Sequence, residues 1–348
     1  MTAIEIETEK RGEIMIINQR TYEIVEKGMD GKGLNADEMA YLYSLETFSK
    51  DAFYVLWAGH ELGMRASGGI AEIHAQIGLN GTVCPKNCQF CSFAACNKVR
   101  QGVLETPLED VLKYARTYEE QGANVILMLT TASFKFEKML AITRAVRQVI
   151  SPEMPLLANT GDFTLAQAKM LKEAGINGVY HAVRMGEGVF TEIPVETRMA
   201  TIKAAQEAGL KLCTCVEPVG PEHTVEELVE KTLISLNMHP VFSGVGGRIA
   251  VPGTMLEKQG MLSSSRLALF DAVYRLAAGV ESPLNCSGAS SVAAHAGANI
   301  AWAEVGTNPR DLVEKTENGG RGQSMDELFK LFERTEWKVR KGPSPYWM

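Results

Sequence analysis

Glu120-Gln121-Gly122-Ala123-Asn124-Val125-Ile126-Leu127 joins the end of an amphipathic helix to an apolar strand through one glycine. The junction returns at Glu173-Ala174-Gly175-Ile176, Glu207-Ala208-Gly209-Leu210-Lys211-Leu212, Ala278-Gly279-Val280 and His295-Ala296-Gly297-Ala298-Asn299-Ile300. Glycine takes the left-handed conformation just past a helix without steric cost, so each copy reads as a helix stop feeding a strand. Thr106-x-x-Glu109, Thr164-x-x-Gln167 and Thr224-x-x-Glu227 supply capping boxes at helix starts. Between 107 and 121, Leu108, Val111, Leu112 and Ala115 share the face a helix lays on a sheet. Strands are expected at 76–83, 124–130, 155–160, 177–183, 210–216, 247–252, 282–286 and 299–305. Strict alternation with helices makes this an α/β chain with parallel pairing. A closed (β/α)8 TIM-type barrel is the economical architecture, with an open doubly wound sheet as the alternative. Residues 1–70 are expected as a helical N-terminal extension, notably at 37–57 and 59–65. The barrel would take 71–320, and 321–348 a terminal helix from Met325 to Trp337 with its tail.

The chain has 348 residues, 45% of them apolar, which suffices for a large core and excludes intrinsic disorder. Its 35 basic and 42 acidic side chains leave a net charge of −7, contrary to the basic face that nucleic acid requires. No apolar run approaches the roughly 18 residues of a membrane span. The opening Met1-Thr-Ala-Ile-Glu-Ile lacks the basic and apolar regions of a signal peptide. A cytoplasmic protein without nucleic-acid or membrane partners is expected. Of seven cysteines, four fall between Cys84 and Cys96, which in a reducing compartment reads as metal or redox chemistry.

Barrels carry reactive groups at the C-terminal ends of their strands. The expected strands place Cys84, then Thr130 and Thr131, Asn159 and Asp162, and His181 and Arg184 there. Glu217, Pro252-Gly253-Thr254, Cys286-Ser287 and Glu304 complete the set. Cys84-Pro-Lys-Asn-Cys88-Gln-Phe-Cys91 thus falls where an active site belongs. Zinc would want four protein ligands, often in paired knuckles, and only Cys96 is near as a fourth. Three cysteines on a [4Fe–4S] cluster leave one iron open for an outside ligand.

The C-x3-C-x2-C spacing, with Phe90 before the last cysteine, resembles the signature of the radical S-adenosylmethionine superfamily. The resemblance implies a [4Fe–4S] cluster on Cys84, Cys88 and Cys91. Its open iron would hold S-adenosylmethionine, whose reductive cleavage gives a 5′-deoxyadenosyl radical. Within the superfamily the chain is similar to the biotin synthase-like group, which includes an [FeFe]-hydrogenase maturase, methylornithine synthase and archaeal-type lipoyl synthases. The similarity runs from about 75 to about 315 and is best at the cysteine loop, 174–184, 248–254 and 296–299. It places Val216-Glu-Pro-Val-Gly-Pro-Glu-His-Thr224 at a turn against the cofactor. Phe90, Thr131, Asn159, His181, Arg184, Glu187 and Glu217 are the expected cofactor-binding residues. Tyr180-His-Ala-Val-Arg184 departs from biotin synthase, and its arginine matches the maturase branch, where it would pair with the methionyl carboxylate. Biotin synthase's second cluster uses three cysteines and an arginine. Alignment sets Met128, Leu157, Cys213 and Asn285 there, so that cluster is not assembled in the same way.

Cys213, Cys215 and Glu217 alternate along one strand and point one way. Two readings stand: a second iron–sulfur cluster with Cys286, serving as sulfur donor, or three packed thiols. His181 is equally a core histidine; Arg184 reads as a carboxylate fork ahead of a surface ion pair, and Cys96 as an incidental loop thiol ahead of a catalytic one. The expected activity is hydrogen abstraction in cofactor biosynthesis, foremost sulfur insertion of the lipoyl or biotin type by a transferase. Rearrangement of the methylornithine kind and hydrogenase-cofactor maturation are the alternatives. A small-molecule or carrier-bound substrate and an electron donor such as ferredoxin or flavodoxin go with it. A non-catalytic, metal-stabilised scaffold is the reading of a different class.

Overall fold

A computed structural model describes residues 3–6 and 15–348. The chain opens with an antiparallel hairpin, β1 (Ala3–Ile6) and β2 (Met15–Asn18), inside the segment expected to be wholly helical. Helices α1 (Gln19–Met29), α2 (Ala36–Tyr43) and α3 (Lys50–Ser67) follow. The expected break between 57 and 59 lies instead at 44–49, where Ser49 caps α3 by accepting from the Ala52 N–H at 3.1 Å. Gly59 and Gly63, one turn apart on α3, give the close approach to the barrel. A Cβ at Gly59 would lie 2.7 Å from the Ala296 carbonyl, and one at Gly63 2.9 Å from that of Gly297.

The barrel is built from β3 (Ile70–Gly78), α4 (Leu108–Glu120), β4 (Val125–Leu129), α5 (Phe136–Arg147), β5 (Leu156–Asn159) and α6 (Leu165–Glu173). It continues through β6 (Gly178–Tyr180), α7 (Val195–Glu207), β7 (Lys211–Cys213), β8 (Val216–Val219), α8 (Val225–Asn237), β9 (Phe242–Ser243) and β10 (Val245–Gly247). Last come α9 (Ser264–Ala278), β11 (Leu284–Asn285), α10 (Ser291–His295), β12 (Ile300–Gly306), α11 (Met325–Arg334) and β13 (Lys338–Val339). Parallel pairing runs β11-β9-β7-β6-β5-β4-β3-β12. The ends meet where Cys286 bridges Ile300 and the Asn299 N–H donates to the Asn285 carbonyl at 2.9 Å. The barrel is closed, not an open sheet. The Asn299 side chain clasps this seam, accepting from the Asn285 N–H at 2.7 Å and donating to the carbonyls of Ile70 and Pro283 at 3.0 and 2.9 Å.

All five glycines of the helix-to-strand junction have positive φ: Gly122 at 87°, Gly175 at 107°, Gly209 at 71°, Gly279 at 69° and Gly297 at 101°. Thr164 and Gln167 form the expected capping box. Thr224 caps α8 on its own, because the Glu227 carboxylate turns away to accept from the Gly186 N–H at 2.7 Å. Thr106 does not cap α4: its hydroxyl donates to the Gly78 carbonyl at 2.7 Å and Pro107 holds the cap position. The first strand runs from Ile70 to Gly78 instead of 76–83, because Glu72, His74 and Gln76 face the lumen and interrupt the apolar pattern. The sixth is the pair β9 and β10, ending at Gly247 before the run expected at 247–252. The fifth is split, Thr214 and Cys215 separating β7 from β8.

Alternation sorts the strand residues. Ile126, Met128 and Ala158 join the outer core beneath the helices. Val125, Leu127, Leu129, Leu157, Cys213, Cys215, Phe242, Leu284, Cys286 and Ile300 fill the lumen with Tyr180 and Trp302. The chain's end closes the lower mouth. Trp347 is 1% exposed and lies against His74 and Phe242, with ring centroids 6.4 and 6.0 Å apart. Arg340 donates to Glu72 at 2.6 Å, and Asn124 donates to the carbonyls of Arg340 and Gly342 at 3.0 and 2.7 Å.

Candidate active site

The long loop after β3 carries Cys84, Cys88 and Cys91, all half-buried at the C-terminal mouth. Backbone bonds fold it back on itself: Cys84 N–H to the Phe93 carbonyl at 2.7 Å, Ala95 N–H to that of Cys84 at 3.0 Å, and Cys91 N–H to that of Cys88 at 2.9 Å. Asn97 gathers the loop, its amide nitrogen reaching the carbonyls of Cys91, Gln89 and Cys88 at 2.8, 3.3 and 3.4 Å. Asn87, at φ 50°, accepts from the Cys96 N–H at 2.9 Å, which makes Cys96 a backbone brace. Neighbouring loops hold the assembly: Ser92 N–H donates to the Pro309 carbonyl and Gln89 N–H to that of Phe190, both at 2.9 Å.

Burial pushes the Cys88 thiol up to about 11, and burial with Cys88 and Cys84 nearby pushes that of Cys91 up to about 12. Thiols raised in this way, those of Cys88 and Cys91, would give up their protons to a metal centre, whose charge offsets theirs. Among the described residues no three His, Cys, Asp or Glu side chains converge on one ion. By its chemistry, three cysteines of one loop at the barrel mouth, the donor set would fit a [4Fe–4S] group with one iron left open.

Arg184 stands beside this loop. Its guanidinium is half-buried and makes no hydrogen bond or ion pair among the described residues. Burial opposes its charge, yet Glu187, Cys88 and Glu217 around it hold its pKa above the usual arginine value. An unpartnered guanidinium there offers a fork for an anionic ligand. Its backbone N–H donates to the Glu187 carboxylate at 3.1 Å, which also takes Thr191 at 2.6 Å and Arg198 at 3.2 Å. Glu187 therefore positions the Arg184 loop, its oxygens already engaged. His181 is 3% exposed and hydrogen-bonded to Asp162 at 3.1 Å, and Arg198 donates to the same carboxylate at 3.1 Å. Burial, with the cationic Arg198 and Arg184, outweighs the Asp162 carboxylate and lowers the His181 pKa. Burial alone would raise Asp162, but His181 and Arg198 pull its carboxyl well below the ordinary range.

Thr131 is clamped by Asn80, its hydroxyl accepting at 2.8 Å and its N–H donating at 2.8 Å. Asn159, at the end of β5, Phe90 in the cysteine loop, and Glu217 in β8 are half-buried at this end of the barrel. In the lumen below, burial and Cys286 raise Cys213 well above the thiol norm. A hydrogen bond with Cys286, then burial, does the same for Cys215. Cys213 donates to the Val179 carbonyl at 3.4 Å and Trp302 donates to Cys286 at 3.3 Å. The structure thus brings Cys213, Cys215 and Cys286 together. Of the positions aligned with biotin synthase's second cluster, Leu157 and Cys213 face the lumen, whereas Met128 packs outward. Asn285 also turns outward, donating to Asp271 of α9 at 3.1 Å. Asn97 and Arg198 are site residues that the sequence reading missed. They lie in the cysteine loop and on α7, where no motif spacing marks them.

Residues 81–232 match the family model of the radical SAM superfamily. The chain is 29% identical over 261 residues to a biotin synthase of Desulforudis audaxviator, covering 73% of this chain and 78% of that one. A biotin synthase of Nitrosopumilus maritimus is 25% identical over 285 residues, covering 76% and 86%. Among solved structures, methylornithine synthase superposes with a TM-score of 0.72 at 17% identity, covering 91% of this chain and 97% of that one. A maturase of the [FeFe]-hydrogenase superposes with a TM-score of 0.76 at 16% identity, covering 92% and 75%. Both likenesses are of fold.

Proposed function

We propose that this radical S-adenosylmethionine enzyme, a chain similar to the biotin synthases, inserts sulfur into an unactivated C–H position of its substrate. The superfamily match sets aside the non-catalytic scaffold. When bound, the [4Fe–4S] cluster and S-adenosylmethionine supply a 5′-deoxyadenosyl radical that abstracts a substrate hydrogen. In this reading Cys84, Cys88 and Cys91 hold the cluster. Arg184 takes the methionyl carboxylate, its loop fixed by Glu187, which is itself braced by Arg198. Phe90, Thr131, Asn159, His181 and Glu217 line the cofactor's side of the mouth. The closed lumen excludes water and keeps the radical from side reactions. An electron donor such as ferredoxin or flavodoxin is the proposed partner, and the compartment the cytoplasm. No described helix is long and apolar enough to cross a membrane.

The observation that carries sulfur insertion is that Cys213, Cys215 and Cys286 share one buried cluster in the lumen beneath that site. Three buried thiols from β7, its exit and the exit of β11 offer a donor set for a second iron–sulfur group, the sulfur source. Leu127, Leu129 and Leu157, apolar on the facing strands, favour the alternative of a one-cluster rearrangement or maturation reaction.

Anaerobic reconstitution, with iron and sulfide counted per chain and 5′-deoxyadenosine measured after dithionite, tests the reading. The expected result is clearly more than about four irons. A Cys213/Cys215/Cys286→Ser variant falls to about four and still forms deoxyadenosine. A Cys84/Cys88/Cys91→Ala variant forms none and keeps the remainder. Wild type that stops at about four irons, all lost from the second variant, overturns sulfur insertion and leaves the one-cluster reactions.

A further inference from the structure

Behind the seam of the barrel, α9 carries a carboxylate into the core. Asp271 is 0% exposed and makes no ion pair among the described residues. Its oxygens take two N–H groups instead, the backbone N–H of Val245 in β10 at 3.0 Å and the Asn285 amide of β11 at 3.1 Å. Asn285 belongs to the seam itself, giving its backbone N–H to Asn299 Oδ1 at 2.7 Å and taking that of Asn299 at 2.9 Å. The other end of its amide is idle: Oδ1 is buried and accepts from no group among the described residues. It stands beside the Cys286 carbonyl, and a Cβ on Gly244 would strike both oxygens. Two acceptors side by side with no donor between them are costly in a buried place. Turning the amide over cures this only if Asp271 supplies a proton to the oxygen that then faces it.

The surroundings put that proton within reach. Burial pushes the Asp271 carboxyl up to about 7, against Val245, Arg275 and Asn285, which favour its charge. Arg275, one turn along α9, is spent on the Gly297 carbonyl at 3.5 Å and Asn299 Oδ1 at 3.4 Å. Tyr274 of α9 bonds Ser235 at 2.8 Å and Tyr43 of α2 bonds Thr232 at 2.9 Å, and burial raises both phenols. Lys231 of α8 pairs with Glu230 at 3.1 Å, and His295 of α10 turns back to the Ser291 carbonyl at 2.7 Å. α3 meets α9 there through Gly59 against Ala272, with no charge.

We propose that Asp271 and Asn285 form a proton-operated switch on the strand that leads to Cys286. With Asp271 ionised, the amide nitrogen donates to it and Oδ1 stays idle beside the Cys286 carbonyl. On taking one proton from solvent, Asp271 becomes a donor. The amide then turns over, Oδ1 accepting from the Asp271 hydroxyl and Nδ2 donating to the Cys286 carbonyl. One hydrogen bond is reversed, one is added, and no bond between heavy atoms changes. Acid thus ties the main chain at Cys286 to α9, and base releases it. The switch needs no metal or cofactor and does not depend on which reaction the mouth performs.

Infrared difference spectra of the anaerobically reconstituted protein, taken from about pH 6 to about pH 8, test the switch. A second sample carries 13C-labelled asparagine side chains. The expected result is a buried carboxylic-acid band that disappears with a midpoint of about 7. An asparagine amide band should shift with the same midpoint. Asp271→Asn, whose amide can donate to Asn285 as the protonated acid would, should lack the acid band and hold the amide band at its low-pH position. Glu304, another buried carboxyl raised by burial, would give an acid band that Asp271→Asn leaves in place. Asn285→Leu, which removes a donor to the ionised form, should raise the proton affinity of Asp271 about threefold or more and abolish the amide shift. The absence of any acid band that depends on Asp271 overturns the proposal. So does an acid band that titrates without an asparagine shift, or an amide shift that survives Asp271→Asn. The coupling of the two bands is read in the wild type alone, so the test holds even where a variant fails to fold.

Discussion

Replacing Trp347 with alanine removes the ring that closes the lower end of the lumen, and the structure sets the size of the effect. The indole is 1% exposed, and a Cβ at Gly178 would come within 2.8 Å of it. Burying an aromatic side chain of about 150–250 Å2 gives about 4–6 kcal/mol at about 25 cal/mol per Å2, an upper figure. Truncations of this kind cost about 3–5 kcal/mol in practice. One feature lowers the figure: the Trp347 Nε1–H has no acceptor among the described residues, an unmet donor costing about 1–3 kcal/mol that leaves with the ring. A loss of about 3 kcal/mol is therefore expected for Trp347→Ala. Trp347→Phe, which keeps the ring and drops the donor, should stay within about 1 kcal/mol of wild type. With an unfolding entropy of roughly 2.1 cal/mol/K per residue over 348 residues, 3 kcal/mol corresponds to about 4 °C in Tm. Near-UV circular dichroism during an anaerobic thermal melt reads both variants. An alanine variant melting within about 1 °C of wild type, or a phenylalanine variant as damaged as alanine, would refute the argument that packing in the lumen holds the tail.

Arg340→Met should cost about 3 kcal/mol near pH 7, since it leaves the buried Glu72 without its arginine, beside His74 and Ser344. Burial raises the Glu72 carboxyl, but His74, Ser344 and Arg340 outweigh it and hold the pKa below the ordinary value. The stability this carboxylate adds is complete above its unfolded pKa and lost as pH falls through the folded one. Urea titrations should thus show the gap between wild type and variant narrowing in acid. Thr164→Ala removes the α6 capping box and should lower stability by about 1 kcal/mol in the same assay. Gly59→Val drives a side chain into the Ala296 carbonyl and the Ala272 methyl, and should lower stability by about 2 kcal/mol or more. Arg184→Gln should weaken S-adenosylmethionine binding about tenfold or more with iron content unchanged, measured by calorimetry without reductant. Unchanged binding would remove Arg184 from the cofactor site.

The junction glycines were legible because the left-handed residue past a helix is a demand that one amino acid meets cheaply, and all five positions comply. The cysteine motif was legible through spacing. The first strand was displaced because its lumen face is Glu72, His74 and Gln76, which interrupt the apolar alternation that marks strands. The sixth was displaced because Gly244, Gly246 and Gly247 dilute its apolar character, while Arg248-Ile-Ala-Val251 imitates a strand without pairing as one. The lumen thiols were correctly seen to share a direction, since alternation is local, but their meeting with Cys286 depends on ring closure.

The ring's junctions are unequal. β12 and β3 are joined by seven paired positions from Ile300–Glu72 to Gly306–Gly78, whereas β11 and β12 share one bridge and the Asn299 clasp. Mechanically the barrel is an arc with a latch; the β7–β9 joint, held by the single pair Cys213–Phe242, is as thin, and thermal breathing concentrates at these two places. The cysteine loop and the Pro309 loop leave neighbouring, firmly bonded strands and so travel together. Cys215 and Cys286 stand on the far side of the latch. Small motions of the barrel therefore leave the spacing between these two loops intact while changing the distance from both to the lumen thiols. The Trp302–Cys286 hydrogen bond, which crosses the latch at 3.3 Å, is the contact that registers that distance.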